Sequence, residues 1–107
     1  MVPVNVVVLA GTITEVPIER RSAAGEELTD FKLSVREPGA RLLPLPVVAW
    51  HKTVGKRTVK QVGKGDTVLV YGRLQRRYVP NGSGGGRAFM EVMAEGLKKL
   101  EVDEGPD

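Results

Sequence analysis

The feature that most constrains this chain is a long alternating run that turns back on itself. From Thr67 to Val79, Val68, Val70, Gly72 and Leu74 fall on one side, with Leu69, Tyr71, Arg73, Gln75 and Arg77 on the other. A helix does not keep that alternation; a strand does. Pro80 to Gly86 follows, with almost no side chain to order it, and Arg87 to Leu97 reads as the returning strand, with Met90, Val92 and Ala94 expected inside. A hairpin is not stable alone in water, so other strands must cover its apolar side.

Those strands lie upstream. Residues 4–14 are rich in β-branched types, with Val7, Leu9, Gly11 and Ile13 on one side and Val6, Val8 and Ala10 on the other. Both sides are apolar, so both are expected to be covered, one of them by a second subunit. Ile18 to Arg21 continues the chain to a turn at Ser22–Gly25. Leu28 to Arg36 alternates cleanly, Phe31, Leu33 and Val35 inward against Asp30, Lys32, Ser34 and Arg36 outward, and stops at Glu37-Pro38-Gly39. Leu42 to His51 is the third strand; Pro44 and Pro46 place its leading half at an edge or in a loop. Lys52 to Val62 is a weak helix of one to three turns, with Val54, Thr58 and Val62 on its buried side. Gly11, Gly72 and Gly96 interrupt strand patterns, where glycine marks a bulge or a tight bend. The order is β-β-β-α-β-β. It is the order of an all-β, five-stranded Greek-key barrel of the OB type, with one short helix between strands 3 and 4.

The chain has 107 residues, enough for one domain, expected over 1–100, and a short acidic tail over 101–107. Cysteine is absent, which removes disulfides, thiolate zinc sites and cysteine nucleophiles and permits a reducing cytoplasm. The longest wholly apolar run, Val6 to Ala10, falls far short of the roughly 20 residues a spanning helix needs. No basic region or cleavage site marks Met1–Asn5 as a signal peptide. No membrane association is expected.

Charge is unevenly placed. Four acids and no base lie in 101–107, so residues 1–100 hold 16 bases against nine acids, a net +7. Eight of the bases (Lys52, Lys56, Arg57, Lys60, Lys64, Arg73, Arg76 and Arg77) lie between Lys52 and Arg77 with one acid, Asp66. A localised basic stretch suits a polyanion, and equally an ordinary solvated surface.

Five segments in order carry a resemblance: Asn5–Gly11 with Ile13-Thr14, Gly25 with Phe31–Val35, Val47–Trp50, Lys64–Gln75 and Glu91–Glu95. Together they resemble bacterial-type single-stranded DNA-binding proteins (SSB) over residues 5 to about 97. The resemblance implies a cytoplasmic, nucleoid-associated OB-fold that assembles as homodimers or homotetramers. It implies binding of single strands in replication, repair or recombination without sequence readout, alongside replication or repair proteins. It brings no cofactor and no enzymatic step. The chain departs from the family's pattern in its few aromatic residues, its short loop at Glu37–Arg41 and its short tail without a terminal aromatic. Together they suit a divergent or short paralogue. The few rings and the missing terminal aromatic favour a second reading, a docking module similar to primosome accessory proteins, with weak nucleic-acid binding.

A strand binder needs rings for bases and cations for phosphates. Trp50 is the stacking candidate, on the side of Val48 and opposite Val47 and Ala49; its alternative use is core packing. Tyr78 is the second ring. Arg73, Arg76 and Arg77 are the phosphate candidates, Arg73 and Arg77 together and Arg76 opposite. Lys32, Arg36 and Arg87 extend the track, with Arg20 and Arg21 as further possibilities. Stacking does not separate deoxyribose from ribose, so RNA stays open as a partner. His51, the single histidine, reads as a polar strand end rather than a metal ligand. Ser22, Ser34 and Ser83 have no base nearby in sequence, which leaves nucleophilic catalysis without support.

Overall fold

The computed structural model describes residues 2–35 and 44–101. Arg36, the Glu37–Arg41 loop, Leu42, Leu43 and the tail beyond Glu101 lie outside the described residues. The elements are β1 (Val7–Ile13), β2 (Ile18–Arg21), β3 (Glu27–Ser34), β4 (Leu45–Trp50), α1 (His51–Val54), α2 (Lys56–Lys60), β5 (Thr67–Pro80) and β6 (Gly86–Leu100).

Pairing closes these strands into a ring. β1 pairs with β5, β5 with β6, β6 with β4, β4 with β3, and β3 returns to β1. Every contact in the ring is antiparallel except β4–β6, which is parallel over Val47–Ala49 and Val92–Ala94. The closing contact is narrow: Thr12 faces Ser34 and Ile13 faces Leu33. This is the five-stranded OB barrel. β2 is an additional short strand hung on the free edge of β3.

The alternating side chains converge inside. Ile13, Phe31, Leu33, Val47, Ala49, Val68, Val70, Val92, Ala94 and Leu97 form one buried cluster. Phe31 is therefore core, as its parity requires. Met90 is not inside but exposed, because β5 and β6 run on as a hairpin beyond the barrel and Met90 lies on that projection. The helical segment is also not continuous. Gly55, at φ 102°, separates α1 from α2, a conformation other residues rarely adopt. The break reorients the second turn, so Val59 and Val62 enter the core and Thr58 does not.

Gly72 and Gly96 mark close approaches. The β5–β6 register shifts at Tyr71/Gly72, where a side chain on Gly72 would strike the Met93 carbonyl. Tyr71 instead lies across Gly96. Gly11 sits against the Ser34 carbonyl, where the barrel closes.

β1 departs from expectation in one respect. Leu9, Gly11 and Ile13 turn toward the barrel interior, but Val6 and Val8 stay exposed, Val8 at 62%. Among the described residues nothing covers the second apolar side of β1.

Candidate nucleic-acid interface

Register places one set of side chains on the outside of β2–β3–β4–β6–β5. Trp50 stands opposite Leu28, and Leu28 opposite Arg20. One row along, Val48 stands opposite Asp30, and Asp30 opposite Ile18; Pro46 stands opposite Lys32. On the hairpin, Arg73 faces Met93, Gln75 faces Glu91 and Arg77 faces Phe89. Directly opposed residues on paired strands project to the same side. Trp50, Arg20, Lys32, Arg73 and Arg77 therefore share one surface, with Arg87 at its far end opposite Val79.

Trp50 is half-buried and outside the core cluster, so it is available on that surface. The Lys52 ammonium lies 5.8 Å from its ring centre, within cation–π range. Trp50, Arg76 and Arg77 line a shallow cavity of about 250 Å3 with Arg20, Val48 and Gln75. A second cavity, of about 120 Å3, adjoins it. Its apolar floor is Val16, Ile18, Phe31, Pro46 and Val47, and Lys32 stands at its side. Arg77 and Glu91 line both cavities.

The cations of this surface fall into two groups. Arg20 pairs with Asp30, Lys32 with Glu15 at 3.8 Å, and Arg77 with Glu91 at 3.5 Å. Among the described residues, Arg73, Arg76 and Arg87 have no carboxylate within ion-pair distance. Arg73 instead approaches the Met93 sulfur at 3.4 Å. The β2–β3 side of the trough is thus close to neutral, and the uncompensated charge of this surface lies on the hairpin, where Arg76 borders the Trp50 cavity.

Not every sequence candidate joins the trough. Tyr78 projects from the reverse of the hairpin beside Ala88 and lies across Gly86. Arg76 shares that reverse side, as alternation requires, though it still borders the Trp50 cavity. Arg36 lies outside the described residues. Glu91 was missed by sequence reasoning. It is buried (4% exposed) and accepts a 2.7 Å hydrogen bond from the Gln75 side chain in addition to its pairing with Arg77. Alternation with Met90, Val92 and Ala94 places Glu91 outward, and only the hairpin register shows what covers it.

His51 directly follows the end of β4, as expected, and is a buried member of a polar chain. Thr29 Oγ1 lies 2.7 Å from His51 Nε2, and His51 Nδ1 lies 3.3 Å from Glu27 Oε2. A neutral ring with its proton on Nδ1 satisfies both: the threonine hydroxyl donates to Nε2, and Nδ1–H donates to Glu27. The order resembles a nucleophile–base–acid chain, but Thr29 is only 2% exposed, so its hydroxyl cannot meet a substrate. The chain ties β3 to the start of α1.

The Lys56 ammonium beside Glu27, 3.3 Å away, holds that carboxyl below its ordinary value of 4.5, and the His51 and Arg21 contacts act in the same direction. A carboxylate with a depressed folded value contributes stability above its unfolded value and loses it as pH falls through the folded one. Glu27→Gln is expected to flatten the acid limb of the stability curve. Urea unfolding at pH 7 and pH 3 checks this: the two proteins should differ more at the higher pH.

A closed five-stranded barrel carrying a half-exposed ring, a cationic hairpin and a trough between them defines a nucleic-acid-binding OB protein. The profile of the single-strand binding protein family matches residues 4–100, and the chain belongs to that family. It is 30% identical to the single-stranded DNA-binding protein of Caldanaerobacter subterraneus subsp. tengcongensis, over 94% of this chain and 71% of that one. A Plasmodium falciparum SSB solved in complex with ssDNA superposes with a TM-score of 0.77 at 18% identity, covering 94% of this chain and 98% of that one. The fold is shared where little of the sequence is.

Proposed function

We propose that this chain binds single-stranded DNA without reading its sequence, stacking bases in the trough at Trp50 and meeting phosphates along the hairpin at Arg73, Arg76 and Arg87. The single observation that carries this reading is the distribution of cations: Arg20, Lys32 and Arg77 along the trough are paired with carboxylates, whereas among the described residues Arg73, Arg76 and Arg87 on the hairpin are not, Arg76 bordering the Trp50 cavity. A single strand offers flat, apolar bases on one side and charged phosphates on the other, and this surface is divided in the same way. Direct base readout needs unpaired polar groups aimed at base edges. The carboxylates of the trough are already engaged with Arg20, Lys32, Arg77 and Gln75. No catalytic step is part of this reading.

Titration with oligo(dT), read through Trp50 fluorescence at two salt concentrations, tests it. Trp50 is the only tryptophan, so the signal has one origin. Saturable quenching that survives moderate salt is expected. Binding that vanishes with salt and leaves the fluorescence untouched would mean phosphate attraction alone, and would favour the protein-docking reading.

We further propose that the protein works as a homo-oligomer joined across β1. The exposed row Val6 and Val8, with Tyr71 opposite Val8 and 52% exposed, is an uncovered apolar surface. Among the described residues β1 pairs with β3 only at Thr12 and Ile13, and Val7 to Gly11 have no described partner on that edge. An apolar open edge invites pairing unless a partner covers it. Val8→Lys is expected to shift the mass measured by light scattering toward that of one chain, with the circular dichroism of the barrel retained.

A further inference from the structure

Arg77 is the one arginine common to both cavities of the trough, and its charge is already engaged. Glu91 reaches it from the opposite strand of the hairpin, and the remaining carboxylate oxygen is fixed by Gln75 at 2.7 Å. With Glu91 buried, this carboxylate cannot swing away into water. The guanidinium also lies 5.9 Å from the Phe89 ring centre, and the Arg77 side chain is only 35% exposed. It is therefore held between a ring and a carboxylate, where an uncompensated arginine such as Arg73 is not.

We propose that Glu91 is a positioning residue that withholds Arg77 from the phosphates, so that Arg77 meets the DNA as a flat surface for a base. A guanidinium is planar and stacks on bases as well as pairing with phosphate. Pairing one edge with a carboxylate removes the reason to seek a phosphate but leaves the plane intact. Arg77 then continues the stacking surface from Trp50 toward the apolar floor at Ile18 and Pro46, and supplies a flat face where this chain has few rings. The inference rests on the single-strand reading above.

The test is the salt dependence of oligo(dT) affinity, followed by fluorescence anisotropy of labelled DNA, for the wild type and four variants. Each phosphate neutralised on a single strand contributes about 0.7 to the slope of log affinity against log salt. Arg73→Ala, the reference, is expected to flatten the slope by about that amount. Arg77→Ala is expected to weaken binding roughly tenfold, as loss of one stacking contact does, with the slope unchanged. Arg77→Lys keeps the charge but not the plane and is expected to bind as poorly as Arg77→Ala. Glu91→Gln frees Arg77 for a phosphate and is expected to steepen the slope by about 0.7. If Glu91→Gln does not fold by circular dichroism, the two Arg77 variants decide. A flattened slope in Arg77→Ala, or wild-type affinity in Arg77→Lys, overturns the role of Glu91 and leaves the strand-binding reading intact. A wild type that does not bind oligo(dT) overturns both.

Discussion

Trp50→Ala is expected to weaken binding of oligo(dT) by about fivefold to 150-fold, the equivalent of roughly 1–3 kcal/mol for one stacked base. The ring is half-buried, stands outside the core cluster and opens on the 250 Å3 cavity. Its removal takes no member from the interior cluster. The urea midpoint should therefore change little, while the loss of affinity should be the same for every base sequence. Anisotropy of a labelled strand is the suitable readout, because the variant has no tryptophan to report. A protein that unfolds more easily but binds normally per folded molecule would place the ring in the core instead.

Leu33→Ala is expected to have the opposite signature. Leu33 is fully buried and pairs with Ile13 at the two-residue contact that closes β3 onto β1. Truncating a buried leucine costs about 2–5 kcal/mol, from lost burial and from the cavity left behind. Small domains are stable by only about 5–15 kcal/mol, so this one change removes a large share of the margin. Equilibrium unfolding in urea measures it. The folded fraction should bind DNA as the wild type does, since Leu33 faces away from the trough.

Together these variants separate what holds the barrel from what the barrel presents. Core residues such as Val47 and Ala49 alternate along β4 with Val48 and Trp50. The same strand therefore builds the interior and the outer surface on which Trp50 stands, and a one-residue slip would exchange them.

Much of this was legible in the chain itself. Period-two alternation along β3, β5 and β6 is a local property, so Phe31, Leu33, Val68, Val70, Val92 and Ala94 could be assigned to the interior without knowing their partners. The same parity put Trp50 outside, and Arg73 with Arg77 on one side of the hairpin. The glycines at 11, 72 and 96 were readable as tight places, because a residue without a side chain inside a strand implies a close neighbour. What that neighbour is was not readable.

The rest depended on contacts between residues distant in sequence. Met90 was expected inside because parity does not tell where a hairpin leaves the barrel. The helix was expected to be continuous because Gly55 acts through a backbone angle that composition does not reveal. Sequence order alone does not pair Arg77 with Glu91, Arg20 with Asp30 or His51 with Thr29. Each pairing is set by strand register across the folded barrel. The sequence alone determined the strands, the core and the ring available for stacking, because these follow from alternation within single segments. Only the tertiary structure decided which cations are compensated by a carboxylate, because charge pairing depends on distances that no single segment contains.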